Sequence, residues 1–71
     1  MKKTEIKIET DYITLNQFLK LSNSVETGGH AKILIQEGKV KVNNDICEQR
    51  GKKLYKDDII EIINYKKYII K

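Results

Sequence analysis

Three groups of residues in this chain have types and spacing that could do chemistry. The first is Thr27-Gly28-Gly29-His30, where a helix-capping hydroxyl precedes two glycines whose backbone N–H groups no side chain covers. Such an entry to a helix can seat an anion. The second comprises Lys32 and Gln36, one turn apart on a single helix flank, followed by Lys39 and Lys41 where the chain leaves the helix. The third is the loop Arg50-Gly51-Lys52-Lys53, which holds the only arginine, the side chain best suited to forked phosphate contacts and to stacking on a base. The chemistry common to all three is recognition of phosphate rather than the making or breaking of bonds.

Catalysis finds no support in the spacing. Ser22, Ser24 and Cys47 have only His30 as a histidine partner, and no local pattern prepares a nucleophile, a base and an orienting acid. With a single cysteine, the chain can form no internal disulfide and no cysteine-based zinc site, so no metal or other cofactor is expected and a reducing cytoplasm suits it. Each candidate also has a plainer reading. Glycine pairs permit tight interhelical turns without any ligand, a lone histidine on a helix flank is more often merely solvated, and a basic loop can be a solvated turn. What favours binding is convergence, because the glycine pair, Lys32, Gln36, Lys39 and Lys41 follow one another along a single helix and the strand after it. The tyrosines Tyr12, Tyr55, Tyr65 and Tyr68 are not clustered in sequence as a base-stacking sheet would require. Most read as packing residues, so recognition should depend on phosphate positions and shape rather than on stacked bases.

The elements that must position these groups follow from periodicity. Thr27 caps a helix whose Ala31, Leu34 and Ile35 fall on one face, and Gly38 supplies its left-handed stop. Lys39 to Val42 then alternates charged and apolar residues as a strand does. Asn43-Asn44 is a two-residue turn signal, and Asp45 to Glu48 should return as the partner strand, placing Cys47 opposite Val40 and Val42. Upstream, Thr4 to Glu9 reads as a strand with Ile6 and Ile8 on one face. Thr14 and Gln17 form a capping box, with Ile13 stapling onto Phe18, so a first helix should run from Leu15 to near Ser22. The link Asn23 to Glu26 is short enough to force the two helices together. Downstream, Leu54 returns to the core, Lys56-Asp57-Asp58 turns into a strand from Ile59 to Ile63, and Tyr68-Ile69-Ile70 can close the sheet.

Length and charge bound the rest. A chain of 71 residues makes one thin-cored domain over residues 1–71, with little room for an enclosed active site. The net charge is +4, and residues 39–53 hold five positive side chains against Asp45 and Glu48, so a polyanion is the natural partner class. Lysines that simply keep a small protein soluble explain the total charge equally well. Neither a signal peptide nor a membrane span is expected.

The ordered series Gln17-Phe18-Leu19-Lys20, Thr27-Gly28-Gly29-x-Ala31-Lys32, Ile35, Gly38-x-Val40-x-Val42-Asn43, Arg50-Gly51-Lys52-Lys53-Leu54 and Asp58 resembles the S4 RNA-binding domain. More narrowly, it is similar to the short stand-alone bacterial members called YaaA-like or YbcJ-like, and the likeness covers nearly the whole chain. Two positions depart from the family pattern, Asn44 and Asp57, where glycine is usual, and His30 stands where close relatives usually carry glutamate. The fold class that residues and resemblance give together is α+β: two short packed helices against a small antiparallel sheet, the arrangement known as the αL motif. The resemblance implies a cytoplasmic, monomeric, non-enzymatic protein that binds structured RNA, in particular ribosomal RNA or a ribosomal particle during assembly or maturation of the large subunit. The RNA-binding residues it points to are Thr27, Gly28, Gly29, His30, Lys32, Gln36, Lys39, Lys41, Arg50, Lys52 and Lys53. From a different class, the rival expectation is a protein-interaction module that docks on an acidic surface of a replication or repair factor.

Overall fold

In a computed structural model, which describes residues 3–22 and 25–71, both helices begin where their caps require. Helix α1 runs Leu15–Leu21, and its N-cap Thr14 makes a reciprocal capping box with Gln17. The Thr14 hydroxyl accepts the Gln17 N–H at 3.4 Å, and the Gln17 side chain accepts the Thr14 N–H at 3.3 Å. Helix α2 runs Gly28–Gln36 behind its N-cap Thr27. Gly38 stops it in the left-handed region at φ 71°, where an L side chain would be strained. Part of the interhelical link, Asn23-Ser24, lies outside the described residues.

Among the described residues seven strands accompany the helices: β1 (Lys3–Ile6), β2 (Ile13–Thr14), β3 (Val40–Val42), β4 (Asp45–Ile46), β5 (Lys53–Leu54), β6 (Ile59–Ile62) and β7 (Lys66–Ile70). Five of them form a sheet in the order β1-β7-β6-β3-β4, and β2 pairs with β5 in a separate two-stranded ladder. The main sheet is mixed rather than antiparallel, because β1 lies parallel to β7 with Lys3 opposite Lys67 and Ile6 opposite Ile70. The physical reason is connectivity. Strands joined by hairpins must run antiparallel, whereas β1 and β7 are separated by both helices and the rest of the sheet, and this long path allows parallel alignment. Strand β7, which holds Tyr68-Ile69-Ile70, joins the sheet between β1 and β6.

The β3–β4 turn has Asn43 at φ 51° and Asn44 at φ 75°, the two positive values that a tight two-residue hairpin demands. Asp57 is at φ 76°. Both departures from the family's glycines therefore sit in the left-handed conformation that glycine would adopt most easily, and Asn and Asp are the residues that tolerate it best. Strand β4 is shorter than expected and ends at Ile46. Cys47 lies just beyond it, half-buried against the core, its N–H still donating to the Val40 carbonyl at 3.0 Å.

The alternation of β3, β6 and β7 gives the sheet one buried face. Val40, Val42, Ile60, Ile62, Tyr68 and Ile70 meet Leu15, Phe18 and Leu19 of α1 and Ala31 and Ile35 of α2 in a single core. Phe18 and Tyr68 meet edge to face, with ring centroids 5.5 Å apart, and tie α1 to the middle of the sheet. Asn43 and Asp58 lock the hairpin to the start of β6. The Asn43 side-chain oxygen accepts the Ile59 N–H at 2.9 Å, while Asp58 accepts from the Asn43 amide at 3.1 Å and from the Tyr55 N–H at 2.8 Å.

Candidate nucleic-acid interface

At the entry to α2 the Thr27 hydroxyl accepts the His30 N–H at 3.2 Å, and the first intrahelical bond joins the Ala31 N–H to the Thr27 carbonyl at 3.1 Å. The helical ladder therefore leaves the N–H groups of Gly28 and Gly29 for partners outside it. A Cβ at Gly29 would find only Thr27 Oγ1, at an ordinary 3.8 Å. Packing does not demand glycine there, so its bareness leaves the backbone open to close approach. His30, Lys32 and Gln36 are all exposed. Lys39 is exposed too, but its ammonium lies 3.7 Å from the Glu37 carboxylate, which offsets part of its charge.

Lys41 does not join this group. Its neighbours Val40 and Val42 are buried against the helices, so alternation turns Lys41 to the far face of the sheet. There it stands opposite Glu61, which in turn stands opposite Lys67. The expectation that Lys32, Gln36, Lys39 and Lys41 share one surface therefore fails at Lys41, because the strand's period of two separates residues that are close in sequence.

The basic loop is a β-turn closed by a bond from the Lys52 N–H to the Gln49 carbonyl at 3.2 Å, with Arg50 and Gly51 at its centre. Two backbone bonds dock it on the first turn of α1: Leu15 N–H to the Lys52 carbonyl at 2.9 Å and Asn16 N–H to the Arg50 carbonyl at 3.0 Å. Lys53 then enters β5 opposite Thr14. Among the described residues these bonds run to α1 and not to α2. The β2–β5 ladder is what redirects the loop, and its sequence signal was hidden because Ile13-Thr14 doubles as the staple and cap of α1. Arg50, Lys52 and Lys53 are exposed, and nothing lies within 4 Å of where a Cβ at Gly51 would be.

The ladder also assembles residues absent from the expected site. Tyr12 and Tyr55 are neighbours, with ring centroids 6.1 Å apart, and Lys53 Nζ lies 5.0 Å from the centre of the Tyr12 ring. The reading of the tyrosines as unclustered packing residues is thus overturned for this pair. Tyr68 alone of the four is buried, and Tyr12, Tyr55 and Tyr65 are exposed.

The S4 domain family model matches this chain over residues 6–71, a span that takes in the docked basic turn, the glycine-opened entry to α2 and the Asn43-Asn44 hairpin. The chain belongs to the S4 domain family. This S4-domain chain is also similar to a Bacillus subtilis (strain 168) protein called "Probable ribosome maturation protein RlbA", at 47% identity over 57 residues that cover 80% of each chain. Among the described residues, no helix of the S4-domain chain is long and apolar enough to cross a membrane.

Proposed function

We propose that this S4-domain protein binds structured RNA by its phosphates and shape, and that it does so as one non-enzymatic domain spanning residues 1–71. The observation that carries the proposal is the docked turn: two backbone bonds to α1 hold Arg50, Lys52 and Lys53 exposed on a fixed frame. Cations presented this way lose little freedom on meeting a phosphate, and Arg50 can take two of its oxygens at once. The entry to α2 adds uncharged donors of fixed direction, through Thr27, Gly28 and Gly29, and His30, Lys32, Gln36 and Lys39 extend the surface.

The similarity to a protein named for ribosome maturation supports ribosomal RNA or a ribosomal particle as the target; maturation of the large subunit is the setting proposed here. In this reading the protein acts in the cytoplasm as a monomer and needs no cofactor. Docking on an acidic surface of a replication or repair factor finds no feature of the fold that favours it.

Titration against a structured ribosomal RNA fragment over a range of salt tests the proposal, with duplex DNA of equal length as the comparison. If roughly four phosphates are neutralised, log affinity falls with log salt at a slope near about −3. Binding that is flat with salt, or equally tight to the DNA, would overturn it.

A further inference from the structure

The pair Tyr12 and Tyr55 has no role in the surface described above. Strands β2 and β5 place Ile13 opposite Leu54 and Thr14 opposite Lys53, and the same register puts Tyr12 opposite Tyr55 immediately past the ladder. Their planes are inclined by 48°, and the core makes little use of them: Tyr12 is 42% and Tyr55 49% exposed, against 1% for Tyr68. The backbone that carries them is nonetheless held. The Tyr12 carbonyl accepts the Thr10 hydroxyl at 2.7 Å, and the Tyr55 N–H donates to Asp58 at 2.8 Å. Two exposed rings on a held backbone lose little freedom on binding a flat partner.

The charge around the rings selects that partner. Lys53 stands over Tyr12, Lys52 precedes it on the docked turn, and Lys20 lines the open depression beside Tyr12 together with Gln17, Leu21 and one acid, Asp11. Tyr55 lines a second depression with Lys52, Lys53 and the acids Asp45, Glu48 and Asp58, of which Asp58 is already engaged by Asn43 and by the Tyr55 backbone, so the cationic side of the pair is the Lys53–Tyr12 side. Aromatic faces among cations suit a nucleotide, whose base stacks while its phosphate is neutralised. Only a base outside a duplex has a face to offer.

We propose that Tyr12 and Tyr55 form a stacking platform for an unpaired RNA nucleotide flanking the structured RNA, with Lys53 meeting that nucleotide's phosphate. This rests on the RNA-binding reading and adds a single-stranded component to it. The test uses two probes, a blunt RNA duplex and the same duplex carrying a single-stranded adenosine overhang. The chain has no tryptophan, so its intrinsic fluorescence comes from tyrosine, and a base stacked on the pair quenches it. The overhang RNA is expected to bind the wild-type protein roughly tenfold more tightly than the blunt RNA and to quench that emission further. Tyr12→Ala with Tyr55→Ala removes the tenfold advantage, and Tyr12→Phe with Tyr55→Phe, which keeps the rings, retains it.

Equal affinity of the wild-type protein for the two probes, with no added quenching, would overturn the platform, and the pair would then serve the ladder or a protein partner. That comparison needs no variant, so it decides even if the double alanine variant fails to fold. Failure of the RNA-binding reading itself looks different, since neither probe then binds with salt-dependent affinity.

Discussion

The entry to α2 and the docked turn at residues 49–53 address phosphates by opposite means. The first offers main-chain N–H groups, fixed by the helix and left bare by glycine, with Lys32 one turn on and Lys39, past the far end of the helix, already beside Glu37. The second offers charged side chains on a turn that the backbone of α1 holds in place. Main-chain donors give direction without net charge, whereas cations give affinity that salt weakens. A small domain with a thin core can thus divide recognition between a region that orients RNA and one that attracts it.

The largest expected effect comes from removing cations across both regions. Lys32→Ala, Arg50→Ala and Lys53→Ala together should cost about 2 to 4 kcal/mol of RNA binding. Neutralising Lys3, Lys66 and Lys71 removes as many charges from exposed positions near the chain ends and should cost under about 1 kcal/mol. Both variants are titrated against one ribosomal RNA fragment after their folding is checked. Equal losses would mean that the chain binds RNA as a diffuse polycation, and the distinction between the two regions would dissolve.

A smaller effect separates the frames that hold the two regions. Asp58 accepts from the Asn43 amide and the Tyr55 N–H, so it steadies the segment after the docked turn but touches nothing at the entry to α2. Asp58→Ala should lower stability by about 1 to 2 kcal/mol in urea unfolding. Asp58→Asn, which keeps one acceptor oxygen, should lose less. Amide hydrogen exchange should quicken at Tyr55 and Ile59 and stay unchanged in α2. Faster exchange at Ala31 as well would show that the two regions share a frame.

Much of this organisation was legible in the residues, for reasons that also explain what was not. Caps and stops act locally, so Thr14 with Gln17, Thr27 and Gly38 marked both helices, and the Asn43-Asn44 turn marked the hairpin. The buried face followed from alternation over Val40 to Val42 and Ile59 to Ile62. Pairing between distant segments has no local signal. The parallel match of β1 with β7 and the two-residue β2–β5 ladder are set by packing across the whole chain, and the second of these moved the basic loop onto α1 and brought Tyr12 to Tyr55. Lys41 was misplaced for a simpler reason: a helix flank and a strand face do not continue one another across the intervening turn.

Substituting the glycines one at a time sharpens the comparison further. A methyl group at Gly29 has room in the folded protein, so Gly29→Ala should leave stability unchanged or raise it by up to about 1 kcal/mol. If phosphate approaches the bare N–H groups, the same change should weaken RNA binding by about 1 kcal/mol. Gly51 also has open space around it, but there the side chains beside it are the ones that bind, so Gly51→Ala should alter affinity by well under about 0.5 kcal/mol. Wild-type affinity in both variants would remove the main-chain seat from the site and leave the cations alone.

The smallest effect tests whether the docked turn is held by its backbone bonds alone. Asn16 donates its backbone N–H to the Arg50 carbonyl, yet its side-chain Oδ1 is buried and has no hydrogen-bond partner among the described residues. A buried acceptor left unpaired costs free energy that an alanine would not, and alanine is also the better helix former. Asn16→Ala should therefore raise stability by about 0.5 to 1 kcal/mol, seen as a later urea midpoint with unchanged slope. Because the bond to Arg50 belongs to the backbone, the turn should stay docked and RNA affinity should stay within about twofold of wild type. A more stable protein with weaker RNA binding would contradict this and mean that the Asn16 side chain helps to hold the turn in its binding position. The frame of the turn would then include a side chain, and the contrast with the entry to α2, whose donors the helix backbone alone fixes, would be greater than charge alone makes it.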